Sequence, residues 1–305
     1  MTDVPLTGPQ YEIVAGAWRA IVTGLGAGLR ELTRDGRPLL TTFDADELPP
    51  HGSGQLLAPW PNRIDGGRYR FDGTDHQLAL SEPARGNAIH GLTRWESWTL
   101  VTQEPDAVVL RNGAHGQQGY PFCIEIDVTY SLTESDGLTV ETTARNRGGK
   151  PAPWGTGAHP YLAMGVDVDE WELTLPAQLR LPVDDRGIPA GEPEDVAGTD
   201  TDFRKPRRIG TTTMDHAFTG LTRDDADRSW VKMSVNGTSL GLWADPTYPW
   251  LQVFTGDPLE PERRRKALAV EPMTCPPNAF ASGVDIVTLA PGQSITHTWG
   301  VTALP

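Results

Sequence analysis

The chain has 305 residues and a formal net charge of −14, with 33 glycines and 27 prolines. That charge excludes a nucleic-acid partner, whose phosphates need a basic footprint, and disfavours an anionic membrane surface. Cys123 and Cys275 are the only cysteines, so no disulfide framework is expected.

In chain order, the opening MTDVPLTGPQYEIVAG lacks a basic start followed by an apolar run, so no secretory leader is expected. No stretch approaches the ~18 consecutive apolar residues of a membrane span, and the expected location is cytoplasmic. GLGAGL at 24–29 has the glycines of a nucleotide loop but no helix after it, and reads as a turn or bulge. Asp35-Gly36, Asp72-Gly73, Asn112-Gly113 and Asn236-Gly237 are turn signals. Ile124, Ile126, Val128 and Tyr130 alternate with Glu125, Asp127 and Thr129, and a second alternating run covers Leu138–Ala144. With the turn ESDG between them, the two runs predict a β-hairpin. Residues 184–210 form the longest loop-like stretch, read as an excursion and not a domain boundary. The tail SITHTWGV alternates again and is expected to close a sheet. No segment sustains a helical period. The expectation is one all-β domain over 1–305, a large antiparallel β-sandwich. No CxxC, HExxH or EF-hand pattern appears, so no metal site is expected.

Two ionisable residues stand immediately before prolines. His159, in TGAHPYL, cannot continue a helix into Pro160 and is expected where a strand ends. Glu271 ends the apolar run Ala267–Val270, where an unpaired carboxylate is costly. Pro272 is expected to stop that ladder and leave Glu271 at a sheet rim. A carboxylate with an ordinary pKa of about 4.3 and an imidazole of about 6.5 form an acid–base pair usable near neutral pH. Such a pair suits a hemiacetal, where a hydroxyl and a ring oxygen share one carbon. Three further stretches hold candidates: Asn62 and Arg63 in PWPNRIDGG, His90 and Arg94 in GNAIHGLTRW, and Asp215 in MDHAF. An arginine and a second histidine suit an oxygen on which charge develops.

In order, N-R-I, N-x-x-H-G, H-P-Y, D-H and a Glu before a Pro-rich loop resemble the aldose 1-epimerase (galactose mutarotase) family over most of the chain. The resemblance implies a β-supersandwich and cofactor-free interconversion of the α and β anomers of a free aldohexose. It implies that Glu271 deprotonates the anomeric hydroxyl and that His159 protonates the ring oxygen. Arg63, with Asn62 beside it, and His90 would hold the sugar near the ring oxygen and anomeric centre. Asp215 would accept hydrogen bonds from sugar hydroxyls. The chain departs from the family pattern in having His90-Gly91-Leu92 for H-G-G. Its segment Ala158–Met164 also lacks both asparagines of N-H-x-Y-F-N-L. HGLTR is similar to the H-G-F-A-R of a hexose-6-phosphate epimerase branch, which makes Arg94 a candidate phosphate ligand. The clusters Arg204–Arg208 and Arg263–Lys266 are further basic candidates. A hexose-6-phosphate 1-epimerase is therefore the alternative, and a non-catalytic sugar-binding module the second alternative. The expected partner is a small sugar, and the expected assembly a monomer or homodimer.

Overall fold

The computed structural model describes residues 4–113 and 115–304. Met1–Asp3, at the head of the segment read for a leader, and Ala114 and Pro305, all within the domain expected over 1–305, lie outside the described residues. Strands dominate. Helical segments among the described residues are three short 3-10 turns and one four-residue helix, Ala279–Ser282. Among the described residues no helix is long and apolar enough to cross a membrane.

Two large antiparallel sheets make the sandwich, with a smaller four-stranded antiparallel sheet formed by residues 10–38. The nine-stranded sheet is built around the predicted hairpin. Ile124–Thr133 pairs with Gly137–Asn146 in unbroken register from Ile124↔Asn146 to Thr133↔Gly137. Ile124, Ile126, Val128 and Tyr130 are buried while the residues between them are only half-buried, as their period of two requires. Asp35-Gly36, Asp72-Gly73 and Asn236-Gly237 each place two successive residues at positive φ, the geometry of a tight hairpin turn. Asn112 differs, because it ends the strand Ala107–Asn112.

The tail strand, Ser294–Leu304, does not finish the sheet at an edge. It lies inside it, between Gly137–Asn146 and Thr238–Ala244. The interior place follows from the burial of Trp299, Gly300 and Val301, which an edge strand would leave partly exposed.

The eight-stranded sheet positions the site. Its central neighbours are Asp215–Leu221, Trp250–Phe254 and Leu268–Met273, followed by the short pieces Gly157–Ala158 and Tyr161–Leu162. Alternation divides these strands between two faces. Phe218, Leu251, Val253, Leu268 and Val270 enter the main core, which runs from Ile13 to Val301. Asp215, Ala217, Trp250, Gln252, Phe254, Ala269, Glu271 and Met273 share the opposite face. There Ala217, Trp250 and Met273 form one small apolar cluster and Tyr161 and Ala269 another, with the polar members between them.

Pro272 does not stop the ladder as its sequence suggests. The strand continues to Met273, with Pro272 opposite Leu251 and Glu271 opposite Gln252. On the other side, Val270 N–H donates to Pro160 O at 3.3 Å and Thr274 N–H to Thr156 O at 2.9 Å. Pro272 occupies the ladder position between these bonds, opposite Ala158, so the strand continues with one donor missing there. Glu271 is therefore a mid-strand residue, only 3% exposed.

Candidate active site

His159 lies in the two-residue gap between Gly157–Ala158 and Tyr161–Leu162, at the strand end its sequence predicts. Its backbone is pinned from the other side: His159 N–H donates to Gln55 O at 3.1 Å, and Gly54 N–H donates to His159 O at 2.9 Å. The imidazole stacks on Tyr161, ring centroids 4.9 Å apart, and its Nε2 approaches Glu271 Oε1 to 3.3 Å.

Arg63 and His90 come from one small ribbon. Arg63–Asp65 pairs antiparallel with Asn87–Ile89, with Arg63 opposite Ile89. The two sequence motifs are thus neighbouring strands. Asn62 and His90 both adopt positive φ, and His90 N–H donates to Asn62 O at 2.9 Å. Gly91 has to be glycine: a Cβ there would lie 1.9 Å from Ala58 O, at a φ of +72°. The bend turns the His90 ring edge-on to His159, with centroids 5.4 Å apart.

Arg63 is held in place by an acid absent from the sequence motifs. Its Nε and Nη2 donate to Glu82 Oε2 and Oε1 at 2.9 and 3.0 Å, a bidentate pair. Burial raises the Glu82 carboxyl, but Arg63 outweighs it and holds the group below the usual range. Gln252 is a second such addition. Its Nε2 donates to Asp215 Oδ1 at 2.7 Å, which fixes the carboxylate beside Glu271. No local signal marks either residue. Glu82 is a loop residue, and Gln252 only interrupts the apolar alternation of Trp250 and Phe254.

These side chains line one cavity of about 380 Å3, within the range of small-molecule sites. It contains Asn62, Arg63, His90, Arg94, His159, Asp215 and Glu271, all seven residues singled out in the sequence. A cleft of about 430 Å3 near Glu96 and Tyr120 holds none of them. Among the described residues no group of three or more His, Cys, Asp or Glu side chains is placed to hold a metal ion.

The electrostatics separate the pair from an ordinary salt bridge. Burial pushes the Glu271 carboxyl well up, and Asp215 adds to the effect against the opposing charge of Arg63. Burial pushes His159 down to about 3. Although 3.3 Å is close enough for an ion pair, desolvation disfavours both charges, and the protein's own surroundings favour a carboxylic acid beside a neutral imidazole. The pair carries one proton in either form. Glu271 Oε2, Gln252 Oε1, His159 Nδ1 and His90 Nδ1 are buried without a hydrogen-bond partner among the described residues. Hydroxyl groups of a ligand would satisfy such atoms.

An all-β sandwich carrying a buried carboxyl–imidazole pair over one sheet, ringed by hydrogen-bonding groups, defines a site for acid–base chemistry on a small polar molecule. The chain belongs to the aldose 1-epimerase family, whose sequence model matches residues 9–302. It is 36% identical over 294 residues to the uncharacterized Escherichia coli protein YihR, covering 96% of this chain and 92% of that one. To human galactose mutarotase it is 27% identical over 273 residues, covering 80% and 77%. The crystal structure of a GalM/aldose epimerase homologue from C. elegans superposes with a TM-score of 0.87 at 23% identity, over 97% and 98% of the two chains, a likeness of fold.

Proposed function

We propose that the protein interconverts the α and β anomers of an aldohexose free at C1, with the chain acting as one domain. Its family supports an epimerase. The observation that carries the reaction is the Glu271–His159 contact at 3.3 Å inside the cavity. In a cyclic aldose the anomeric hydroxyl and the ring oxygen are bonded to the same carbon, so their base and acid must stand side by side.

Glu271, as carboxylate, takes the proton of the C1 hydroxyl while His159, as imidazolium, gives one to the ring oxygen. The C1–O5 bond breaks, and the hydroxyl electrons become the C=O bond of the open-chain aldehyde. Rotation about C1–C2 presents the other face. O5 then attacks C1, His159 recovers its proton from O5, and Glu271 returns its proton to the carbonyl oxygen. The proton count of the pair is unchanged throughout. The ion-pair form serves the ring, and the neutral form serves the open chain. Sugar hydroxyls donating to Glu271 favour the ion pair, offsetting the desolvation that opposes it.

Arg63 and His90 sit where they can stabilise the oxygen that gains charge, and Asp215, fixed by Gln252, accepts from ring hydroxyls. The test is anomer exchange followed by one-dimensional NMR on aldohexoses with and without protein. Faster exchange is expected. Sugar binding with no acceleration for any aldose overturns the reading in favour of a non-catalytic binding module.

A further inference from the structure

The cavity contains three arginines, and only one of them is matched by an acid. Arg63 is taken up by Glu82. Arg85 and Arg94 also line the cavity, and neither makes an ion pair or a side-chain hydrogen bond among the described residues. Elsewhere many of this acidic chain's basic groups are paired with acids. Arg204 pairs with Asp202, Arg263 with Glu47, Arg265 with Asp169 and Asp257, and Lys266 with Asp167. Members of both basic clusters noted in the sequence are thus already paired. Among the described residues two other half-buried arginines lack an acid, Arg207 over the Phe203 ring and Arg228 over the Trp243 ring. Neither lines this cavity, whereas Arg85 and Arg94 do.

Arg94 is held for a purpose its own chain does not supply. Its guanidinium lies 5.2 Å from the Trp95 ring centroid, and its carbonyl accepts from Gln55 Nε2 at 3.2 Å. Gly26 leaves room for that backbone: a Cβ there would lie 2.5 Å from Arg94 O. Burial pushes the Arg94 pKa down, opposed by the charge of Glu82, a carboxylate already bound to Arg63.

The charges of Arg63 and Arg94 both act on His90 and His159, but of these two arginines only Arg63 also acts on Glu271. This orders the cavity. If Glu271 serves C1 and His159 serves the ring oxygen, the next carbon beyond that oxygen is C5, which carries exocyclic C6. C6 therefore points past His159, away from Glu271, on the side where Arg94 acts.

We propose that Arg85 and Arg94 form a subsite for an oxyanion carried on the exocyclic carbon of the aldose, so that the substrate is an anionic sugar. The orientation rests on the epimerase reading of Glu271 and His159. The shared chemistry is a terminal carboxylate, phosphate ester or sulfonate, each of which accepts charge-assisted hydrogen bonds from guanidinium groups.

Binding and turnover are measured separately. Methyl α-glucoside, which cannot open its ring, is compared by calorimetry with its 6-phosphate, its 6-sulfonate and methyl glucuronoside. At least one anionic glycoside is expected to bind on the order of 10-fold or more tighter than the neutral one. The preference should fall with added salt, and be lost in Arg85→Gln/Arg94→Gln. In exchange NMR on the corresponding aldoses, the anionic-to-neutral ratio of kcat/KM should exceed one and fall about 10-fold or more in the double variant. A wild-type protein with no preference for any anionic glycoside, or a preference that the double variant retains, overturns the subsite even if neutral aldoses turn over. Anion preference in binding without accelerated exchange of any aldose supports the subsite and instead overturns the epimerase reading.

Discussion

His159 Nε2 stands 3.3 Å from Glu271 Oε1, and the ladder register brings them together: Gly157 opposite Met273 and Tyr161 opposite Ala269 place His159 directly across from Glu271. Val270 N–H still donates to Pro160 O and Thr274 N–H to Thr156 O, so the two segments stay in register through His159-Pro160. As an opposed pair, the two side chains project to the same face of the sheet, where the imidazole meets the carboxyl.

Since both groups transfer protons in the proposed reaction, Glu271→Gln and His159→Asn should each lower turnover by about 10²–10⁴-fold while sugar binding persists. Exchange NMR beside calorimetry with a methyl glycoside separates the two effects. Full turnover in either variant removes the role assigned to that residue.

A free imidazole would give an acid limb near pH 6.5, but this pair takes up its second proton on a His159 that burial holds down at about 3. The active form carries one proton, so kcat/KM should stay flat from neutral pH down past 6.5 and fall only well into the acid range. The alkaline limb marks loss of that proton from a pair in which Glu271 is raised, and it should lie above the ordinary carboxylate value. Exchange rates corrected for buffer-catalysed mutarotation give the profile. An acid limb centred at 6.5 contradicts the paired titration.

Glu82 positions Arg63 through both of its oxygens. Glu82→Gln keeps one acceptor and loses the charge, so kcat/KM for the aldose should fall about 10-fold, the size of one charge-assisted hydrogen bond. Kinetics together with a thermal melt distinguish the outcomes: a lower melting temperature with unchanged kcat/KM would make Glu82 structural only.

Away from the site, His297 is buried and accepts from Trp154 Nε1 at 3.0 Å, and burial holds its pKa at about 4. As pH falls through the unfolded value of about 6.5, the unfolded chain binds a proton that the folded one refuses. Stability is then lost at roughly 1.4 kcal/mol per pH unit until the folded pKa is reached. His297→Gln, which retains an acceptor but cannot titrate, should be less stable at pH 7 yet lose less between pH 7 and pH 5. Melting temperatures at the two values test this, and equal losses in both proteins would exclude His297 as a source of acid sensitivity.

The alternation of Ile124 to Tyr130, the Asp-Gly and Asn-Gly turns and the order of the five motifs were legible because each is local. A period of two assigns side chains to faces whatever the partner strand, and an Asn-Gly pair carries its own turn geometry. His159 at a strand end was legible for the same reason, since Pro160 restricts its immediate neighbour. Pro272 was misleading because the ladder bonds made by Val270 and Thr274 on either side of it hold the strand in register, and their partners lie on a strand far away in sequence. Long-range pairing alone decided that Glu271 lies opposite Gln252, that the N-R and N-x-x-H-G motifs form one ribbon, and that Glu82 holds Arg63. Among the described residues it also left Arg85 and Arg94 without an ion-paired acid. Charge and residue type are written in the chain, but whether a charge is matched depends on which distant groups the packed sheets and loops bring within hydrogen-bond reach.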